Sequence, residues 1–260
     1  MKICRFNDPE TQRPSFGMIE GEEVFTLQGD LSEGNLSLEG VGHSIKLSEA
    51  KLLAPVTPSK IVCVGRNYQA HAAELGNPSP IEPLLFLKPP SAIIADGEAI
   101  ELPNLSERVE HEGELGVVIG RRCKYLSLEE DPLAYVLGFT CLNDVTARDL
   151  QRKDVQFTRA KSFDTFCPVG PYIVTGLDSS DLSIGTRVNG EVRQSGRTSA
   201  MTFPVAFLIR YISQVMTLEP GDLIATGTPA GVGPLLEGDI VEVEVEGVGI
   251  LRNPVRKQQV

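Results

Sequence analysis

Apolar positions in this chain fall mostly in short runs bounded by Gly, Pro, Asn and Asp, the pattern of a protein built largely from β-strands. Residues 3–6, 15–20 and 23–27 predict three short strands, the last two joined as a hairpin through Gly21. The prolines of Pro55-Val56-Thr57-Pro58 hold the chain extended and remove backbone donors, so they mark a boundary. A small N-terminal β domain over residues 1–55 and a main domain over 56–260 are expected.

The main domain opens with an apolar strand at 61–65 and a stretch of helix formers at 67–75 that Asn67 is placed to cap. Residues 76–83 are too rich in proline for regular structure, and with the helix they predict a lid over a pocket, mobile without ligand. Further strands are expected at 84–87, 113–120, 135–142, 223–226 and 240–245, with a tight hairpin turn at Asn189-Gly190. One amphipathic helix should run from Pro204 to Met216. The loop from Gly227 to Gly233 lacks the Gly-Lys-Ser/Thr ending of a phosphate loop, which leaves its amides and Thr228 free to hold a carboxylate.

Composition narrows the function classes. The formal net charge of -11 argues against nucleic acid or an anionic membrane as partner, though not against a small anionic substrate. Five cysteines without C-x-x-C spacing suggest neither a disulfide framework nor a zinc cluster, and with no apolar leader or membrane-length run a cytoplasmic protein is expected.

The chemistry concentrates in Glu112-Gly113-Glu114 at the entrance to a buried strand. Side chains two apart on a strand share a face, so two carboxylates would stand side by side near a core. Each unpaired buried ion costs several kcal/mol, roughly, and a divalent cation between them removes the problem. Alone, Glu-x-Glu also fits a solvated strand face, and the pair needs a third ligand. Asp144, after the strand at 135–142, is the best third carboxylate, and it is equally placed to cap residues 145–151. His71 and Glu74 stand at i and i+3 on the expected helix, the spacing that sets a carboxylate beside an imidazole base. Lys161 brings positive charge between two apolar segments, His43 reads as a surface or loop histidine, and His111 should face away from Glu112.

Taken together and in order, several motifs resemble the fumarylacetoacetate hydrolase superfamily. They are Cys63-Val64-Gly65-Arg66-Asn67-Tyr68, His71 with Glu74, His111-Glu112-Gly113-Glu114-Leu115, Asn143-Asp144-Val145-Thr146-Ala147-Arg148-Asp149, Ala160-Lys161-Ser162-Phe163-Asp164, Val188-Asn189-Gly190-Glu191 and Thr226-Gly227-Thr228-Pro229. The resemblance runs from about Lys60 to Val255. It implies a β-rich α+β fold of rolled, mixed sheets with peripheral helices, commonly a homodimer. It further implies Mg²⁺ or Mn²⁺ on Glu112, Glu114 and Asp144, a water-activating His71-Glu74 dyad, Lys161 in the pocket, and Arg148, Gln151 and Thr228 as substrate or metal-shell contacts.

Three carboxylates would leave roughly three of six octahedral positions on Mg²⁺, enough for a bidentate 2-oxo acid and water. The expected reaction is hydrolysis of the C3–C4 bond of a 2,4-dioxo acid through a metal-stabilised enolate, as in acylpyruvate cleavage. Oxaloacetate decarboxylation and 2-hydroxyhepta-2,4-diene-1,7-dioate isomerisation pass through similar enolates and stay open. A non-catalytic metal-binding β protein is the alternative from another class, but it would have no need of His71, Glu74 and Lys161.

Overall fold

A computed structural model of the chain describes residues 1–259. Its centre is a mixed sheet of twelve strands, flanked by sheets of five and three, with four short α-helices at the periphery of the described residues. This is the β-rich fold of rolled mixed sheets and peripheral helices that the sequence implies. No helix among the described residues is long and apolar enough to cross a membrane.

The strand Gly113–Ile119 is buried at every position, and its period of two divides its side chains between two cores. Leu115, Val117 and Ile119 pack with Val62, Val64, Cys141 and Ile224 on one face. Val118 packs with Ile61, Cys63, Leu142 and Leu223 on the other. Strands covered on both faces read as continuous apolar runs, which is why alternation is faint in this part of the sequence.

The N-terminal strands join the same sheet. Lys2–Asp8 pairs with Cys167–Val174, and Ile3, Phe16, Leu27 and Leu31 share a core with Cys167 and Val169. The hairpins form as expected: Arg13–Glu20 pairs with Glu23–Leu27 across Gly21, and Ser183–Val188 pairs with Glu191–Arg197. Asn189 and Gly190 take φ of 53° and 80°, the mirror-image turn that suits the strand twist. The amphipathic helix spans Val205–Val215, with Pro204 just before it.

Some local expectations are not met. The strand through Glu112 is interrupted there, giving Val109–His111 and Gly113–Ile119 in different sheets. The segment after Asp144 first pairs as the strand Thr146–Ala147 and turns helical only over Arg148–Lys153, so Asp144 caps nothing. His43, expected at the surface or in a loop, is partly exposed on the strand Gly40–Lys46, its ring 3.3 Å from carboxylate oxygens of both Asp8 and Glu10.

Candidate active site

Gly113–Ile119 begins where three other strands end. It runs antiparallel to Val136–Asn143 and Leu223–Ala225, and Ile61–Gly65 runs parallel to the latter. The residues entering or leaving these strand ends are Glu112, Asp144, Thr226 to Thr228, and Arg66 onward. They converge on one edge of the sheet, where a cavity of about 230 Å³ opens. Its lining includes Arg66, His71, Glu112, Glu114, Asp144, Arg148, Gln151, Arg152, Lys161 and Thr228.

Ligand atoms of Glu112, Glu114 and Asp144 all lie within 4.8 Å of one another, and the three residues are buried. Glycine is required between the two glutamates: a Cβ on Gly113 would lie 2.1 Å from Thr186 Oγ1 on the adjoining sheet. Asp144 accepts from Lys88 Nζ and from Lys161 Nζ, each at 2.6 Å. Lys161 also donates to Glu112 at 2.8 Å. Arg148 donates to both Glu110 and Glu112, and its Nη1 to Gln151.

These cations are shared unevenly. Burial alone would raise the Glu112 carboxyl, but Lys161, Arg148 and His71 outweigh it and hold it well below the usual carboxylate range. Burial, then repulsion from Asp144 and Glu112, drives Glu114 the other way, well above that range. Glu114 accepts from Gly227 N at 2.7 Å and has no ion-pair partner among the described residues. A cation between the three carboxylates would relieve this repulsion. The donors are all oxygen, so the residues fit a hard divalent ion such as Mg²⁺ or Mn²⁺.

The helix Gln69–Glu74 brings His71 to the same cavity, 4% exposed. Its Nδ1 lies 3.5 Å from Glu74 Oε2, and Glu74, a third exposed, is held in turn by the N–H of Gly231. The glycine-rich loop therefore does receive carboxylates on its amides, but they are the protein's own: Glu114 on Gly227 and Glu74 on Gly231. Gly231 has φ of 102°, and a Cβ there would meet Arg193 O at 2.0 Å.

All nine residues singled out from the sequence lie in or against this one site, with Glu74 behind His71. Asn67 has a different task from the helix cap expected of it. Its side chain donates to Phe203 O and Thr226 O and accepts from Phe203 N, pinning the turn after the strand to two distant segments. His111 is fully buried and faces Gln194, with burial lowering its pKa below that of a free imidazole.

Lys88 and Gln194, which brace the site, escaped the sequence reading. Lys88 is a lone cation closing the apolar run Leu84 to Leu87, and a charge at the end of a buried strand was the available signal. Gln194 sits on a largely exposed strand and gave none. Its Oε1 accepts from Gly113 N at 2.9 Å, while its Nε2 donates to Thr228 Oγ1 and Pro229 O at 2.7 Å. One amide thus ties the ligand-bearing strand to the glycine-rich loop.

Residues 60–256 match the family model described as Fumarylacetoacetate (FAA) hydrolase C-terminal. The chain belongs to the fumarylacetoacetate hydrolase family. Residues 1–55 match a second model, Rv2993c-like, N-terminal. Among relatives of this family member, human mitochondrial oxaloacetate tautomerase FAHD2A is 46% identical over 288 aligned residues, covering 98% of this chain and 91% of that protein. The 2-hydroxyhepta-2,4-diene-1,7-dioate isomerase from Mycobacterium marinum is 44% identical, with a TM-score of 0.90 and 100% of both chains covered. The maleylpyruvate hydrolase from Sphingobium sp. SYK-6, solved with manganese(II) ion and pyruvate, is 30% identical with a TM-score of 0.81, again over 100% of both chains. As a fumarylacetoacetate hydrolase family member, the chain is an enzyme.

Proposed function

We propose that this enzyme moves a proton at the carbon beside the keto group of a small 2-oxo acid, interconverting keto and enol forms with Mg²⁺ or Mn²⁺ held by Glu112, Glu114 and Asp144. The observation that carries the reading is a buried imidazole, His71, backed by Glu74 and lining the same cavity as three buried carboxylates. A divalent ion there would supply chelation of the 2-oxo carboxylate and electrostatic relief for charge developing on the keto oxygen.

The side chains divide the remaining work. His71 takes the proton and returns it, and Glu74 orients the ring and stabilises its protonated form. Lys161, kept charged because Asp144 and Glu112 outweigh the cost of its burial, offsets negative charge in the cavity. Arg148 fixes the Glu112 carboxylate, and Thr228 and Gln151 shape the wall. The cavity lies below the roughly 300–1,000 Å³ of drug-sized sites, which suits a short acid. The likeness to an oxaloacetate tautomerase and a dienedioate isomerase supports proton transfer as the reaction completed.

Hydrolysis of the C3–C4 bond of a 2,4-dioxo acid is the second reading, favoured by the same His71-Glu74 pair and by the hydrolase relative. There His71 would take its proton from water, and the hydroxide would attack the distal carbonyl and release pyruvate. Proton NMR in D₂O separates the two. With Mg²⁺ present, deuterium at C3 of oxaloacetate without fragmentation supports tautomerisation; pyruvate released from an acylpyruvate supports hydrolysis. The proposal fails if neither exchange nor cleavage rises above the protein-free rate with Mg²⁺ or Mn²⁺.

A further inference from the structure

The chain leaves regular strand at Glu112, between Val109–His111 and Gly113–Ile119, and side chains take over the backbone there. Glu112 N donates to Asn143 Oδ1 at 2.9 Å. Around Gly113 the bonds close into a ring running in one direction. Gly113 N donates to Gln194 Oε1 at 2.9 Å, Gln194 Nε2 to Thr228 Oγ1 at 2.7 Å, and Thr228 Oγ1 back to Gly113 O at 2.8 Å. Bonds aligned in this way polarise one another. Gln194, 1% exposed, is the one buried residue of the strand Glu191–Arg197.

Both ends of the Gln194 amide have fixed roles. Gly113 N–H needs an acceptor and Pro229 O a donor, so Oε1 faces the ligand-bearing strand and Nε2 the glycine-rich loop. His111 Nδ1 lies 3.2 Å from the same Oε1, which can only accept, so Nδ1 carries a hydrogen. The imidazole is fully buried, and its Nε2 has no partner among the described residues. Burying a polar ring for one side-chain hydrogen bond costs more than burying an apolar side chain of that size, which points to a use for the bond.

The use lies in what the loop holds. Thr228 and Pro229 stand between Gly227, whose N–H binds Glu114, and Gly231, whose N–H binds Glu74. The loop thus connects the carboxylate cluster to the base dyad, and Gln194 fastens it to the strand of Glu112 and Glu114.

We propose that Gln194 is a positioning residue that sets the carboxylate cluster and the His71-Glu74 dyad at their working separation, with His111 locking its amide. The proposal rests on the reading of Glu112, Glu114 and Asp144 as metal ligands and His71 as the base. It adds two residues that act only through others.

Gln194→Met, which keeps the length of the side chain and removes its hydrogen bonds, tests the first part. Mn²⁺ affinity by calorimetry and turnover at saturating Mn²⁺ should each fall about 10- to 100-fold, the range for removing a group that orients metal ligands, and the EPR spectrum of bound Mn²⁺ should change. Turnover is read at saturating metal so that displacement of the base is separated from loss of the ion. His111 tests the second part and covers the case in which Gln194→Met does not fold. His111→Leu should weaken both quantities, and His111→Asn should recover most of the loss, because its amide nitrogen is bonded to Cγ as Nδ1 is. In ¹⁵N-histidine NMR spectra of the wild type, Nδ1 of His111 should carry its proton. A Gln194→Met protein with lower thermal stability but wild-type Mn²⁺ affinity, EPR spectrum and turnover would overturn the proposal, as would His111→Asn behaving like His111→Leu. If the wild type binds no Mn²⁺, the reading of the ligands falls and takes this proposal with it.

Discussion

Both carboxylate oxygens of Glu74 accept from the backbone N–H of Gly231 at 3.1 Å, closer than the 3.5 Å that separates Glu74 from the His71 ring. The partner of the proposed base is thus anchored to the loop that also carries Thr228 and Gly227, so base and carboxylate cluster are positioned by one segment. A dyad built in this way separates chemistry from metal binding. His71→Ala should lower turnover by about 10²- to 10⁴-fold, the range for removing a general base, while Mn²⁺ affinity by calorimetry stays within a factor of about two. Glu112→Ala should lose both. An active His71→Ala enzyme would require another base.

Metal affinity should depend on pH because Glu114 must give up a proton to serve as a ligand. Its pKa is raised above the ordinary 4.5 by burial and by repulsion from Asp144 and Glu112. Between 4.5 and that raised value the metal-free fold carries a proton there which the ion displaces, so affinity rises with pH, by up to about tenfold per unit. The stability this group gives the metal-free fold has the opposite slope, present at low pH and lost as pH rises through the raised value. Titrations in two buffers of different ionisation enthalpy should show protons released on Mg²⁺ binding, and Glu114→Gln should weaken binding and remove its share of the release. A pH-independent affinity in the wild type would contradict this account.

The sequence made the site legible where several spaced motifs shared one physical use, since Glu112-Gly113-Glu114 alone also fits a solvated strand face. Glu112 and Glu114 could share a buried face only with positive charge nearby, and the structure buries both and sets Lys161 and Arg148 against Glu112. It was less legible where a polar residue near a helix start had two uses. Asn67 and Asp144 both suit a cap locally, but the long-range partners Phe203, Thr226, Lys88 and Lys161 won, and those pairings span 17 to 159 positions. Gln194 illustrates the remaining limit. Nothing around it in the chain marks a strand residue whose amide reaches a ligand-bearing strand 81 positions away.

Lys88 provides a test of how the buried charges support one another. Its ammonium, fully buried, donates to Asp144 and to Val145 O, and among the described residues Asp144 is otherwise paired only with Lys161, which Glu112 shares. Lys88→Met should cost about 3 kcal/mol in the metal-free protein, because it leaves a buried carboxylate short of positive charge. Mg²⁺ should restore part of that loss, since the ion supplies charge at the same carboxylate. Thermal unfolding with and without Mg²⁺ measures both quantities. An equal loss in the two conditions would mean that Lys88 acts through packing and not through the charge on Asp144.

The lid expected over residues 67–83 must be divided, because the structure ties its two halves down unequally. Asn67 is pinned by three side-chain bonds, Tyr68 pairs with Met201, and His71 and Ala72 are buried, so the first half belongs to the frame of the site. From Asn77 to Pro83 the chain has no helix or strand, and Ile81 is 98% exposed. Such a segment has few buried contacts to oppose local opening, whereas the pinned half opens only with the sheet edge beneath it. Closure over a ligand should therefore involve residues 76–83, with Leu75 and Asn77 on the cavity wall as the join. Hydrogen exchange should slow there by about tenfold or more when oxalate and Mg²⁺ are added, while the amides from Asn67 to Ala72 stay protected in both states. If the loop exchanged equally fast with and without oxalate, the cavity would be filled without closure, and His71 would have to act in a site open to water.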